Sequence, residues 1–336
     1  MNDIDIMNFA NMLRPEANHI VKYEYEKSLE NFTPVFDELD KICEQLSTVA
    51  AAHKYIILHG ITNAAIDDFG VSLEAFGIEI NFNSDVNKCL EGLGVLITRF
   101  WTSIKEAISR LIEYLRTDPY FSRWTNLNEM LRVKVSNLIL ARERYYALID
   151  DTKFYNTKVL AIPYAPYLSK LNATALLTGK LNLLGGTPYE SINVRERFGQ
   201  ELEALGFVGT SGVYVPPENH GFVAGTLRDF QWSPSKVHFC TDTLYRKLLV
   251  PHLNIDRMLY QMNRALKLAM DECSAVLRGS IDGDDTTRVN AAKARVQNIR
   301  AIKNIAQYSI SMTRILATQW IRMVELYDLS KVKVGQ

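Results

Sequence analysis

The chain has 336 residues, and its 38 Lys and Arg balance 38 Asp and Glu, so no global field draws it to nucleic acid or membrane. A composition of 47% hydrophobic and 23% charged residues suits an ordinary globular protein of two or three folding units and excludes wholesale disorder or a low-complexity fibre. The four cysteines, at 43, 89, 240 and 273, share no short spacing, which fits neither a disulfide-stapled domain nor a zinc ribbon and points to a reducing compartment.

Acidic residues stand where a secretory signal needs a positive start, and no apolar run precedes Arg14. No stretch approaches the roughly 20 apolar residues of a bilayer span, so no transmembrane helix is expected. From Pro34 to about His59 the residues Val35, Leu39, Ile42, Leu46, Val49 and Ala50 recur at three and four, which predicts a helix with Thr33 as N-cap and Pro34 at its first position. The block 61–83, with Asp67-Asp68 and several Gly or Asn breaks, reads as a loop or hinge and as a boundary.

Ser84 opens the clearest element, whose apolar residues Val86, Leu90, Leu93, Ile97, Trp101, Ile104, Ile108, Leu111 and Leu115 keep helical spacing until Asp118-Pro119. A second helix is expected from about Asn126, with Glu129 as capping-box partner, making a hairpin over 84–146. Between Pro163 and Gly186 prolines and glycines predict short helices, and Asn193 with Glu196 caps another that stops at Gly206. The Gly/Pro-rich segment that follows reads as an insertion at about 207–240, with room for a hairpin between Gly212–Val215 and Gly221–Ala224. Helices near 241–249 and 253–277 lead to a polar turn over 279–285. The last helix, Thr286 to about Tyr327, has a spacing near 3.5 interrupted by Lys303 and Thr313, which favours packing inside a bundle over a free coiled coil.

Residues 1–60 carry 10 acidic and 5 basic groups, whereas 251–336 carry 8 acidic and 13 basic ones. This asymmetry could steer the two ends together or offer Lys293, Arg295, Arg300 and Lys303 to a polyanion, although a solvated helix face is the commoner origin of such a pattern.

No catalytic motif survives inspection. Gly179-Lys180 lacks the upstream glycine and strand of a P-loop, and Asp282-Gly-Asp284-Asp285 departs from a calcium loop at Thr286 and Thr287. His238 with Cys240 is only half of a zinc site, and Gly209-Thr-Ser211-Gly212 has the wrong spacing for a nucleophile elbow. No metal or cofactor is expected, and an enzyme only if Glu218, His220, His238 and Cys240 converge. Phe100, Trp101, Ile104 and Ile108 give the long helix a face suited to a membrane interface or a partner, with a core stripe as the bland alternative.

Ser72-Leu-Glu74-Ala75-Phe-Gly77, followed by the Trp101-bearing helix, resembles the internal head proteins of phiKZ-like giant phages. The resemblance implies packaging inside the capsid with the genome and cleavage by a prohead protease after Glu74, with Ser72 and Glu74 as recognition positions and Ala75 as the new amino terminus. It also implies capsid or scaffold proteins and other internal head proteins as partners, local contact with packaged DNA, and a route from host cytoplasm to virion. Together these readings predict a non-enzymatic, mostly α protein. It would be an elongated bundle of long helices, with an N-terminal helical segment and propeptide over 1–74 and a body over 75–330. The runner-up is a membrane-active protein that opens and inserts the 84–146 hairpin.

Overall fold

The computed structural model describes residues 17–83, 85–141, 158–161, 163–184, 192–210, 213–215, 223–226, 230, 233–251, 253–277 and 285–332. The architecture is mostly α, with long helices packed in a bundle. Helix α1 (Ala17–His59) leads through α2 (Asn63–Ala65), a π turn (Ile66–Gly70) and α3 (Val71–Ala75) to α4 (Val86–Thr117) and α5 (Pro119–Leu140). Then follow β1 (Lys158–Ala161), α6 (Tyr164–Leu183), α7 (Val194–Ala204), β2 (Val208–Thr210), β3 (Val213–Val215) and β4 (Val223–Thr226). Helix α8 (Pro234–Thr243) runs into a π segment (Leu244–Leu249), and α9 (Ile255–Leu277) and α10 (Asp285–Val332) complete the fold.

Four long helices form the main body: α1 packs on α10 and α4, and α9 packs on the same two. The α1–α10 pair is antiparallel and laced by charge. Glu24 meets Arg314 at 3.0 Å, Asp37 meets Arg300 at 2.5 Å and Glu44 meets Lys293 at 3.8 Å, so each step along α1 is matched by a step back along α10. Part of the charge at the acidic start and basic end of the chain is therefore spent on each other. Between these charges α1 buries Phe32, Phe36, Leu39, Leu46 and Val49. Phe36→Ala should cost about 3–5 kcal/mol, read as a lower denaturant midpoint, because the side chain is wholly enclosed and a cavity would remain.

At 48 residues α10 is about 72 Å long. Every residue from 305 to 321 is buried, so no face of this stretch meets solvent. Helices α5, α6 and α7 and the π segment pack around it. Trp320 stacks with Tyr167 and Phe230, with centroids 5.6 and 5.3 Å away, and donates its indole N–H to Thr241 Oγ1 at 3.0 Å. Tyr167 in turn donates to the Leu316 carbonyl at 3.0 Å.

Several boundaries differ from the sequence expectation. Helix α1 starts well before Pro34, which lies inside it, because Tyr25, Phe32 and Phe36 on either side are held in the core and offset the lost backbone bond. The 61–83 block is largely helical. Thr62 caps α2 by accepting from Ala65 N, and α3 ends at Gly77, whose φ of 70° lets the chain turn away. Helix α5 begins at Pro119 rather than Asn126, since Asp118 caps it by accepting from Tyr120 N at 2.8 Å and Pro119 takes the first position. Over 164–183 one helix replaces the expected short ones; Gly179 sits in it with open space around its Cα. Strands β2 and β3 pair as a tight antiparallel hairpin, whereas β4 pairs with the distant β1, Val159 opposite Gly225. The expected pairing of 212–215 with 221–224 is thus replaced by two separate two-stranded ladders. The polar turn over 279–285 lies outside the described residues except for its last position, where α10 begins.

Candidate functional site

Chemistry-bearing groups gather where α10 crosses α1 and the α4–α5 corner. Lys303 is fully buried, and its Nζ lies 2.7 Å from Asp118 Oδ2, whose side chain is equally enclosed. Three aromatic rings close the cage around the ammonium, with centroids at 3.7 Å for Phe32, 5.1 Å for Tyr114 and 5.3 Å for Phe121. Burial pulls the Lys303 pKa down to about 8, against the opposing pull of Asp118.

The network continues along α10 at helical spacing. Gln307 donates to Ser28 Oγ on α1 and, at 3.5 Å, to Asp118 Oδ2. Tyr120 shares a 2.5 Å hydrogen bond with Ser311 Oγ and donates to the Gln307 carbonyl at 3.3 Å. One turn further on, Arg314 lies 5.7 Å over the Tyr120 ring and pairs with Glu24. Tyr114 on α4 donates to the Ser28 carbonyl at 3.2 Å, and burial pushes its hydroxyl up to about 12. Every one of these contacts joins one helix to another. Chemically the arrangement holds charge in place; two shallow surface grooves lie apart from it, along the exposed face of α4 from Glu91 to Arg110.

The residues singled out from sequence are placed as follows. Ser72, Glu74 and Ala75 sit on α3, not in a loop; Ser72 Oγ donates to the Asp68 carbonyl at 2.7 Å, and Leu73 between them is buried. Phe100, Ile104 and Ile108 are core residues and Trp101 packs half-buried against them, so the core-stripe alternative describes this face. Among the described residues no helix is long and apolar enough to cross a membrane.

The four basic residues of α10 that the sequence offers to a polyanion are committed within the chain. Lys293 faces Glu44, Arg295 pairs with Glu272 at 3.1 Å, Arg300 with Asp37 and Lys303 with Asp118. Lys303, enclosed on all sides, is out of reach of a polyanion. Lys180, beside Gly179, lies in the last turn of α6 and pairs with Glu201 at 2.7 Å. Glu218 and His220 lie outside the described residues. Cys240 is fully buried on α8 and burial pushes its thiol up to about 12, the wrong direction for a nucleophile. Among the described residues no three metal-ligating side chains come together.

Sequence reading missed Asp118 as the partner of Lys303, and Gln307 and Arg314 as further members of the network. A signal was present for the pair alone: Lys303 interrupts the apolar seam of α10, and Asp118 stands at the stop that ends α4. No protein-family model, curated protein or solved structure matches the chain.

Proposed function

We propose that this chain is a non-enzymatic virion protein of a bacteriophage, packaged inside the capsid with the genome and able to follow it into the host. The observation that supports this most is the use made of the interior polar groups. Lys303, Asp118, Tyr120, Gln307 and Arg314 are spent on tying long helices together, which suits a body built for shape. The Ser72–Gly77 segment ahead of the Trp101 helix supplies the phage assignment, and capsid or scaffold proteins are the proposed partners.

On this reading the Glu74–Ala75 bond is the scissile one. Because Leu73 is buried and Ser72 is bonded back to Asp68, α3 must unwind before the backbone can lie extended in a protease. Cleavage therefore acts on a locally opened chain or one not yet closed into its bundle. The test is the intact mass and amino-terminal sequence of the protein taken from particles, beside a recombinant copy. A chain beginning at Ala75 supports packaging and processing together. An uncut chain in particles keeps the packaging and removes the cleavage, and absence from particles sinks the whole reading.

A further inference from the structure

We propose that Cys43 on α1 and Cys273 on α9 form a redox site, closing a disulfide across the bundle when the protein meets a peroxide. Both cysteines are free in this structure and buried, and the Cys43 thiol is hydrogen-bonded to Cys273. The contact is fixed from both sides by α10. Lys293 pairs with Glu44, next in sequence to Cys43, and Arg295 pairs with Glu272, next to Cys273. Lys293 and Arg295 are about 3 Å apart along the helix axis, so the two thiol-bearing turns stand at one level of the bundle. One turn before Cys43, Asp40 is hydrogen-bonded to Gln297 of α10 as well. Sulfurs in such contact must close by about 1–2 Å to reach the disulfide bond length of about 2 Å.

The other two cysteines are out of range. Helices α1 and α4 run antiparallel through Ser28–Tyr114 and Glu38–Arg110, which puts Cys89 about 24 Å along the bundle from Cys43. Cys240 adjoins Thr241, the partner of Trp320, about 37 Å along α10 from Arg295. The fold therefore selects one pairing of the four thiols. The electrons go to the peroxide. One sulfur, as thiolate, attacks a peroxide oxygen; the O–O bond breaks, hydroxide leaves and a sulfenic acid forms. The second sulfur attacks the sulfenic sulfur, so the S–S bond forms as the S–O bond breaks. Both thiol protons end in water, and two thiols with one hydrogen peroxide give one disulfide and two waters. The closed bundle keeps this slow. The hydrogen bond to Cys273 and then burial hold the Cys43 proton on well above the usual thiol range, and peroxide enters only through local openings. Such a site ignores brief exposure to oxidant and records a prolonged one. Once formed, the bond ties α1 covalently to the body, and on the cleavage reading it would keep residues 1–74 attached after the Glu74–Ala75 bond is cut.

The experiment is thiol titration and non-reducing peptide mapping of the folded full chain, incubated with hydrogen peroxide and quenched with catalase before free thiols are blocked in denaturant. Titratable thiols should fall from four to two, and trypsin should release residues 42–54 and 268–278 as one species that dithiothreitol separates. A chain cut within 76–83 through an inserted protease site adds a second readout: its two pieces should part in denaturant before oxidation and run together after it. Cys89→Ala with Cys240→Ala should keep this linkage, whereas Cys273→Ala should leave the oxidised pieces separable. Retention of all four thiols overturns the proposal. So do linkage through Cys89 or Cys240, linkage between molecules, and pieces that stay joined in the Cys273 variant. None of these results depends on whether the protein is found in particles, so the packaging reading and the redox site fail separately.

Discussion

Asp118→Ala should destabilise the protein by about 4 kcal/mol, whereas Lys303→Met should leave it as stable at pH 7 or up to about 3 kcal/mol more so. The two members of this buried pair are unequal. Removing Asp118 strands an ammonium in an apolar cage and also strips the N-cap from α5, costs of about 3–5 and about 1 kcal/mol respectively. Removing Lys303 leaves Asp118 with the Tyr120 N–H and the Gln307 amide, and a thioether of similar length fills the space among Phe32, Tyr114 and Phe121. The lowered Lys303 pKa shows that burial costs the ammonium more than Asp118 returns.

This difference carries a pH signature. Between about 8 and the ordinary value of 10.5 the unfolded chain holds the Lys303 proton more tightly than the folded one, so the Lys303 contribution to stability rises with pH. Buried cysteines and tyrosines such as Cys240 and Tyr167 act oppositely, because burial raises their pKa and the unfolded chain loses protons first. Those groups are common to both proteins and cancel in the comparison. The advantage of the Met variant should therefore shrink by about 2 kcal/mol between pH 8 and 10. Urea midpoints of the two proteins at each pH provide the measurement. A constant gap, or a variant several kcal/mol weaker at pH 7, would refute the imbalance.

Residues 1–74 should prove inseparable from the rest by cleavage alone. Helix α1 places Tyr25, Phe32, Phe36, Leu39, Leu46, Val49 and Ile56 in the shared core. At about 1.5–3 kcal/mol for each large side chain this burial amounts to roughly 10–20 kcal/mol, as much as the whole stability of a typical domain. Deleting 1–74 should give an insoluble or non-cooperatively unfolding chain, so a packaging defect in such a deletion would report on folding. A chain cut within 76–83, through an inserted protease site, should elute as one particle and separate only in denaturant. A folded, cooperative deletion variant would show that α1 is a detachable leader. If α1 stays, processing after Glu74 serves to free a chain end, and release needs a second event that pulls the helix out.

Much of the scaffold was legible because strong local signals and tertiary demands agree. Helix α4 shows its apolar stripe and its stop at Asp118-Pro119, and α7 shows Asn193 bonded to Glu196 N and a break at Gly206, whose φ is 90°. Lys303 and Thr313 rightly argued for a helix enclosed in a bundle. Elements failed where distant contacts overrule local breakers. Pro34 lies within α1, and Gly179 within α6. The partner of β4 is set by β1, with Val159 opposite Gly225 across 66 positions of sequence, a pairing that no local pattern encodes. The polar network was hidden for the same reason. Lys303 reads as a solvated base until α1 and the α4–α5 corner close over it.

The antiparallel embrace of α1 and α10 also sets the order in which the molecule can be made. Phe32 and Phe36 leave the ribosome early, but the residues of α10 that cover them, around Arg300 and Lys303, follow only after most of the chain. At about 5–20 residues per second that interval is roughly 10–50 s, during which α4 is already available to α1 but the side of α1 that faces α10 has no native partner. Newly made chains therefore expose that side of α1 until α10 follows, and during that same interval α3 has only part of its bundle to hold it shut.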